Sequence, residues 1–291
     1  MTVLNTVSCK APQVSIGMPV YNGEATVRKA IDSILAQTFN NFELIISDNA
    51  STDGTEAICR KFAEQDVRVK YFRQTENLGA GANFEFVLRR SVGDYFMWAA
   101  ADDRRSPDFL EINVHSLQSN PALSASTSPN CYEGEEGDAH KHVNFSLNGD
   151  YPERCIKFLK NAWISHGIFY SLMRAEIIKA YQFPEIAHVA HDWIINLYVL
   201  SKGEINRATN GLTIIGKNGV SNQGNPWKTF RNKRIEAVLP LYEFTRYVLS
   251  LNAEFSLKET ISIFSEIMKL NVSATKSNLV LTLKNHLRHR S

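Results

Sequence analysis

The sequence predicts an α/β protein, a Rossmann-like doubly wound, mostly parallel sheet flanked by helices and extended by a C-terminal helical appendage. Three observations carry this expectation. Short apolar runs alternate with stretches of helical periodicity through the first part of the chain, the order expected of strand–helix–strand units. The run Tyr95–Ala101 stops abruptly at two adjacent acids, Asp102 and Asp103, and a helix-start signal, Ser106-Pro107, follows. Beyond Gly219 strand signals cease, and Trp227–Leu251 and Phe255–Leu287 read as long helical stretches. Residues 1–220 are therefore expected to form the α/β domain and 221–291 the helical region.

Taken in order, Val14–Val20 reads as a buried strand that turns at Tyr21-Asn22-Gly23. Val27, Ala30, Ile31, Ile34 and Leu35 form one helical stripe. Phe42–Ser47 is a second strand, followed by Asp48 and a polar turn in which Asp53 and Glu56 have capping-box spacing. Arg68–Phe72 is a third strand, and Phe84, Val87 and Leu88 mark the next helix. Right-handed crossovers then bring Tyr21, Asp48 and the Asp102–Asp103 pair to one rim of the sheet. Past a helix over Pro107–Ser119, Leu123–Thr127 reads as strand and Pro129–Asp150 as a surface excursion. Pro152–Lys160 is expected to be helical, Trp163–Met173 a strand, Arg174–Tyr181 a short helix and Asp192–Ser201 another. Short strands near Glu204–Arg207 and Leu212–Ile215 complete the domain.

Bulk properties narrow the function. With 291 residues there is ample core, and a formal net charge of +2 argues against nucleic-acid binding, which needs a concentrated basic face. Cys9, Cys59, Cys131 and Cys155 are widely spaced, with neither zinc-ligand nor disulfide patterning, as expected of a reducing cytoplasm. MTVLNTVSCKAP lacks a basic segment followed by an apolar core, and runs such as Trp193–Leu200 are too short to span a bilayer. The expectation is a cytoplasmic protein, soluble or peripheral at the inner face of the cell membrane. Leu279–Arg290 pairs apolar residues with Lys284, Arg288 and Arg290, which suits either an anionic membrane surface or a homodimer contact.

At the C-terminal end of a buried strand, Asp102 and Asp103 suit two roles. They can cap the following helix, or serve as hard oxygen ligands for Mg²⁺ or Mn²⁺. Four ordered segments, VSIGMPVYNGE, ELIISDNASTDGT, ENLGAGAN and ADDRRSPDFLE, resemble the inverting glycosyltransferases of family 2. These have the GT-A fold and serve bacterial polysaccharide, O-antigen and glycolipid assembly. The resemblance covers about the first third of the chain. It implies a nucleotide-diphosphate sugar donor, a saccharide or lipid-linked acceptor and a Mn²⁺ or Mg²⁺ cofactor. It further implies that Pro19 and Tyr21 flank the base, that Asp48 accepts its imide N–H, and that Asn77 and Gly79 close the nucleotide pocket. Asp102 falls on the family's metal acid, with Asp103 beside it; Ala100 stands where the family's first, ribose-binding Asp is usual.

The same resemblance places the general base at Asp192, where the family has a Glu-Asp pair at a helix start and this chain has His191-Asp192. His191 is the rival base, and His166, with His191, is a candidate for the acceptor side; Lys217 is a candidate for the diphosphate. An ordinary N-cap is the plain alternative for Asp192. Competing functions are a catalytically inactive nucleotide-sugar-binding protein, to which Ala100 points, and a sugar-phosphate nucleotidyltransferase, whose Gly-rich triphosphate loop is missing from Val14–Gly23. A dinucleotide-binding G-x-G-x-x-G is likewise absent after the first strand.

Overall fold

A computed structural model describes residues 11–137, 145–184, 188–217, 227, 231, 233–251 and 255–288. In chain order its elements begin β1 (Val14–Val20), α1 (Val27–Leu35), β2 (Phe42–Asp48), α2 (Thr55–Gln65), β3 (Val69–Arg73), α3 (Ala80–Arg90) and β4 (Tyr95–Trp98). They continue with β5 (Arg104–Arg105), α4 (Phe109–Ser119), β6 (Leu123–Thr127), β7 (Asn130–Tyr132), α5 (Tyr151–Lys160) and α6 (His166–Phe169). The last strands and helices of the sheet region are β8 (Leu172–Arg174), α7 (Ala175–Lys179), α8 (His191–Lys202), β9 (Glu204–Arg207) and β10 (Thr213–Ile215).

Among the described residues a seven-stranded sheet runs β3-β2-β1-β4-β8-β6-β9, and β8 alone is reversed within it. The doubly wound expectation holds: β1 pairs in parallel with β2 and with β4, so their carboxyl ends share one rim. Side chains alternate between two cores, as the period of two in a strand requires. Leu44, Ile46, Met97 and Ala99 pack on one face with Val27, Ile31 and Leu110. Ile45, Phe96 and Trp98 pack on the other with Val87, Phe158 and Leu197. That second core also takes Phe244 and Val248 from the helix Tyr242–Ser250, and Ile263, Ile267 and Ala274 from the helix Leu257–Arg288.

Several expectations give way to local chemistry. Trp163–Met173 is not one strand. A 3₁₀ turn (Ala162–Ile164) and α6 precede the short β8, and the hydroxyls of Ser165 and Ser171 bond back to the carbonyls of Ala162 and Ile168 at 2.7 and 2.6 Å. Such local bonds offer the backbone an alternative to a ladder. Helix α4 starts at Phe109 rather than Pro107, because the Ser106 hydroxyl instead accepts the Leu212 N–H at 2.8 Å. Asp53 is no capping box: its carboxylate takes the N–H of Thr55 and of Glu24, while Glu56 pairs with Arg60 and Arg73. The excursion after Pro129 contributes β7, which joins β10 and β5 in a second, three-stranded sheet. The stretch expected as one helix from Trp227 contains a 3₁₀ turn, Arg234–Ala237, and then a helix from Tyr242; Pro240 separates the two.

Candidate active site

On the rim, the turns after β1 and β2 are laced together. Asn22, at φ 50°, donates its N–H to the Ser51 hydroxyl at 2.9 Å, and its side-chain oxygen accepts the Thr52 N–H at 2.8 Å. The Gly23 N–H reaches the Thr55 hydroxyl at 2.8 Å. Asp48 is fully buried beneath them. One carboxylate oxygen accepts the Ser51 N–H at 2.8 Å; the other accepts the Tyr71 hydroxyl at 2.8 Å and the Arg73 guanidinium at 2.7 Å. Burial, and then Asp48 itself, hold the Tyr71 hydroxyl protonated, well above its usual range. Asp48 therefore braces from within the turn at which its expected contact with the base would be made.

Neighbouring Asn49, which the motif reading did not single out, ties in the loop before α3. Its amide donates to Asn77 Oδ1 at 2.8 Å and to the Gly79 carbonyl at 3.2 Å, and its oxygen accepts the Leu78 N–H at 2.9 Å. Asn77 Oδ1 also accepts the Gly79 N–H at 2.9 Å, and Gly79, at φ 82°, makes the left-handed turn into α3. Asn77 and Gly79 are thus brought to the same rim as Asp48. Pro19 is half-buried near the end of β1, and the Tyr21 ring stands 48% exposed beside these turns.

At the end of β4 the two acids part. Asp103 turns inward: one oxygen accepts the Gly216 N–H at 2.9 Å, the other is buried without a hydrogen-bond partner, and burial pushes its carboxyl up to about 6 against the pull of Arg105. Arg105 is buried as well. It donates to the Trp98 carbonyl at 3.2 Å and lies over the Phe109 ring, while Nε and Nη1 find no hydrogen-bond partner. Asp102 stays half-buried against Gly216, where any Cβ would fall 2.6 Å from its Oδ2. Only glycine fits there. Lys217 follows immediately, on the exposed side, and Asn218 lies outside the described residues.

Of the two acids expected at the metal, Asp102 is the one at the partly exposed rim and Asp103 is the one turned inward. Among the described residues no three His, Cys, Asp or Glu side chains group as a cation site, and Ala100 supplies no ligand. One carboxylate at the rim fits a divalent ion that takes its remaining ligands from bound phosphate oxygens and water.

Helix α8 presents Asp192 at its first turn, entered through Ala190 at φ 62°. Burial pushes the Asp192 carboxyl up to about 6, opposed by the N–H groups of Trp193 and of Asp192 itself at the helix start. Tyr170, just before β8, links the two acid regions: after burial, the charges of Asp103, Asp102 and Asp192 all raise its hydroxyl, and Arg105 opposes them. Acids far apart in sequence therefore act on one tyrosine. Nothing in WISHGIFYSLM read as a strand marks Tyr170; only the reversed direction of β8 carries it to the carboxyl rim.

His191 points elsewhere. Its Nε2 lies 3.0 Å from the Tyr181 hydroxyl, its ring meets Phe183 and His188 at 5.6 and 5.0 Å, and burial lowers it to about 4. His166 opens α6, open to solvent and 6.3 Å from the Tyr132 ring. Trp163, 39% exposed, meets Trp193 edge-on at 5.1 Å, one residue beyond Asp192. No motif signalled these ring contacts.

Residues 15–182 match the sequence profile of the family described as Glycosyl transferase family 2. An uncharacterized glycosyltransferase of Haemophilus influenzae is 29% identical over 245 residues, spanning 81% of this chain and 95% of that protein. An uncharacterized glycosyltransferase of Rickettsia typhi is 38% identical over 107 residues, 37% of this chain and 32% of that one, so this chain matches about a third of its length. Among solved structures, S. aureus TarS superposes with a TM-score of 0.62 at 16% identity, covering 88% of this chain and 43% of TarS. TarS 1-349 in complex with UDP-GlcNAc gives 0.58 at 16%, covering 87% and 79%. The mannosyltransferase PcManGT from Pyrobaculum calidifontis, in complex with GDP-Man and Mn²⁺, gives 0.56 at 15%, covering 94% and 86%. These likenesses show the fold.

Proposed function

This chain belongs to glycosyl transferase family 2, and we propose that it moves a sugar, with inversion, from a nucleotide-diphosphate sugar to a hydroxyl of a saccharide or lipid-linked acceptor. The observation that carries the reading is that Asp102 and Asp103 end β4 on the same sheet rim as the braced turns at Asn22, Asp48 and Asn49, while their charges and that of Asp192 all act on buried Tyr170. Solved neighbours that hold UDP-GlcNAc or GDP-Man with Mn²⁺ support a nucleotide-sugar donor and a divalent ion. Residues 1–220 carry donor and chemistry in this reading, and 221–291 brace the second core.

Each group then has a task. The Tyr21 ring stacks on the base, and the Asn49–Asn77–Gly79 loop closes the pocket edge. Asp102 holds the divalent ion, which when bound neutralises the diphosphate leaving group. Arg105 and Asp103, buried together, fix the acid turn, with the Gly216 N–H as its outer tie. Trp163, Tyr132 and His166 form the wall along which the acceptor lies. Asp192 takes the proton of the acceptor hydroxyl as its oxygen attacks the anomeric carbon on the face opposite the leaving diphosphate. The bond to the acceptor oxygen forms while the bond to the diphosphate oxygen breaks, so the anomeric configuration inverts.

Kinetics of Asp192→Asn test this reading. A positioned base contributes roughly 10²–10⁴-fold, so kcat should fall by that order while donor affinity, read by calorimetry with nucleoside diphosphates, is retained. His191→Ala should cost only a few-fold, since its ring is engaged with Tyr181. Turnover of Asp192→Asn near wild type overturns the base assignment; donor binding with no turnover by the unmodified chain favours the inactive binding protein to which Ala100 points.

A further inference from the structure

The helix Leu257–Arg288 is apolar on two sides. Ile263, Ile267, Leu270 and Ala274 are buried in the second core, as its amphipathic role demands. A second set, Leu257, Ile261, Phe264, Met268, Val272, Leu279 and Leu283, is exposed, from 41% at Met268 to 78% at Leu257. At 3.6 residues per turn these seven fall in one straight stripe, roughly 150° around the helix from the buried row. The stripe runs nearly the whole element. An apolar surface of this length is more than scattered surface hydrophobicity. Between Val272 and Leu279 the Thr275 hydroxyl reaches the carbonyl of exposed Val238, which follows the 3₁₀ turn.

Charge selects the occupant. Lys258, Lys269 and Lys276 line one edge of the stripe, and Arg234 belongs to the turn at the other. Glu259 and Glu266 lie on the far side of the helix, where Glu259 accepts from Ser256 and Glu266 pairs with Lys269. The other charged groups at this turn, Lys233, Glu243 and Arg246, pair among themselves, and Glu236 is buried.

An antiparallel pair of these helices would set lysine edge against lysine edge. A parallel pair would set it against Thr260, Thr275, Asn278 and Thr282. Neither copy offers an acid to the lysines. The spacing of the stripe, moreover, follows a straight helix and not the 3.5-residue repeat of a coiled coil. An anionic lipid surface satisfies both halves of the pattern: it buries the apolar row and meets the flanking cations, whose stems can lie along it. Among the described residues no helix is long and apolar enough to cross a membrane, so the element lies on the surface.

We propose that the exposed stripe of Leu257–Arg288 is a docking face for an anionic lipid bilayer, with Ile261, Phe264, Met268 and Leu279 inserted and Lys258 and Lys276 on the headgroups. The inference does not depend on the transferase reading. Flotation of the full chain with phosphatidylcholine vesicles, with and without phosphatidylglycerol, tests it. Binding is expected with phosphatidylglycerol, to weaken in high salt, and to fall about tenfold or more in the triple variant Ile261→Ser, Met268→Ser, Leu279→Ser. The double variant Lys258→Glu, Lys276→Glu should lose the phosphatidylglycerol preference. Thermal melts and circular dichroism check that both variants remain folded. No vesicle binding at low salt overturns the proposal. So does a dimer in sedimentation that the triple variant dissolves, or binding that neither variant changes.

Discussion

The two halves of the rim are built on opposite principles. On the nucleotide side the buried polar side chains are matched: Asp48 has three donors, Asn49 interlocks with Asn77, and Asn22 ties one turn to the next. On the acid side Asp103 and Arg105 keep buried atoms without hydrogen-bond partners, Asn196 is buried one turn along from Asp192 with neither amide atom bonded, and two carboxyls are pushed up to about 6. A satisfied network fixes shape and is costly to break; an unsatisfied one stores unfavourable charge that binding or chemistry can relieve. Rigidity and reactivity are thus kept in separate places.

Opposite mutational signs follow, and the largest effect sharpens the contrast. Asp48→Asn removes a charge that Arg73 and Tyr71 both address, so it should lower stability by about 2–3 kcal/mol in denaturant melts and weaken nucleotide binding. Asp192→Asn should leave stability unchanged or raise it by about 1–2 kcal/mol, because the native state no longer holds a desolvated carboxylate. Equal losses from both substitutions would break the distinction between the halves.

The pH dependence is the next test. A base must be ionised, so with the Asp192 carboxyl pushed up to about 6, kcat should climb as pH rises through about 6 and level off above it. For stability the sign is reversed. The folded carboxyl holds its proton more tightly than the unfolded chain does, so its penalty is present above about 6 and fades as pH falls toward the usual Asp value of 3.8. A rate profile flat between roughly pH 5 and pH 8 would remove Asp192 from the rate-determining proton transfer.

A smaller effect refines the nucleotide side. Among the described residues the non-glycine positions with positive φ are Asn22, Ala50 and Ala190, all at turns of the rim. Asn22 offsets its strain with side-chain bonds, whereas Ala50, at φ 59°, has no side chain that could do so. Ala50→Gly should therefore raise the melting free energy by about 0.5–1 kcal/mol with nucleotide affinity little changed.

The nucleotide half was largely legible in the sequence because it is made of consecutive strand, turn and helix units. Apolar runs named β1, β2 and β4, and parallel crossovers then required Tyr21, Asp48 and Asp102 to share a rim. The acid half was not, since it depends on partners brought in from later in the chain. The Gly216 N–H that holds Asp103, and the Tyr170 on which the charges of Asp102 and Asp192 both act, follow from β10 and β8, whose short runs carry no periodicity. An apolar stretch such as WISHGIFYSLM fits strand or helix equally, and serine back-bonding decided it. Which way Asp48 turns was also beyond the motif, because Tyr71 and Arg73 claim it from the neighbouring strand.

The reversed strand β8 has a consequence for how such a protein can be re-engineered. It meets β4 through only two registered pairs, Tyr95 with Arg174 and Phe96 with Met173. Within the seven-stranded sheet, two blocks therefore meet along a narrow seam of backbone bonds, and in the proposed function the first would read the donor and the second the acceptor. Exchanging the block beyond that seam for one from another transferase would disturb few β4–β8 ladder contacts, and under the proposed function it should change the acceptor while the donor is kept.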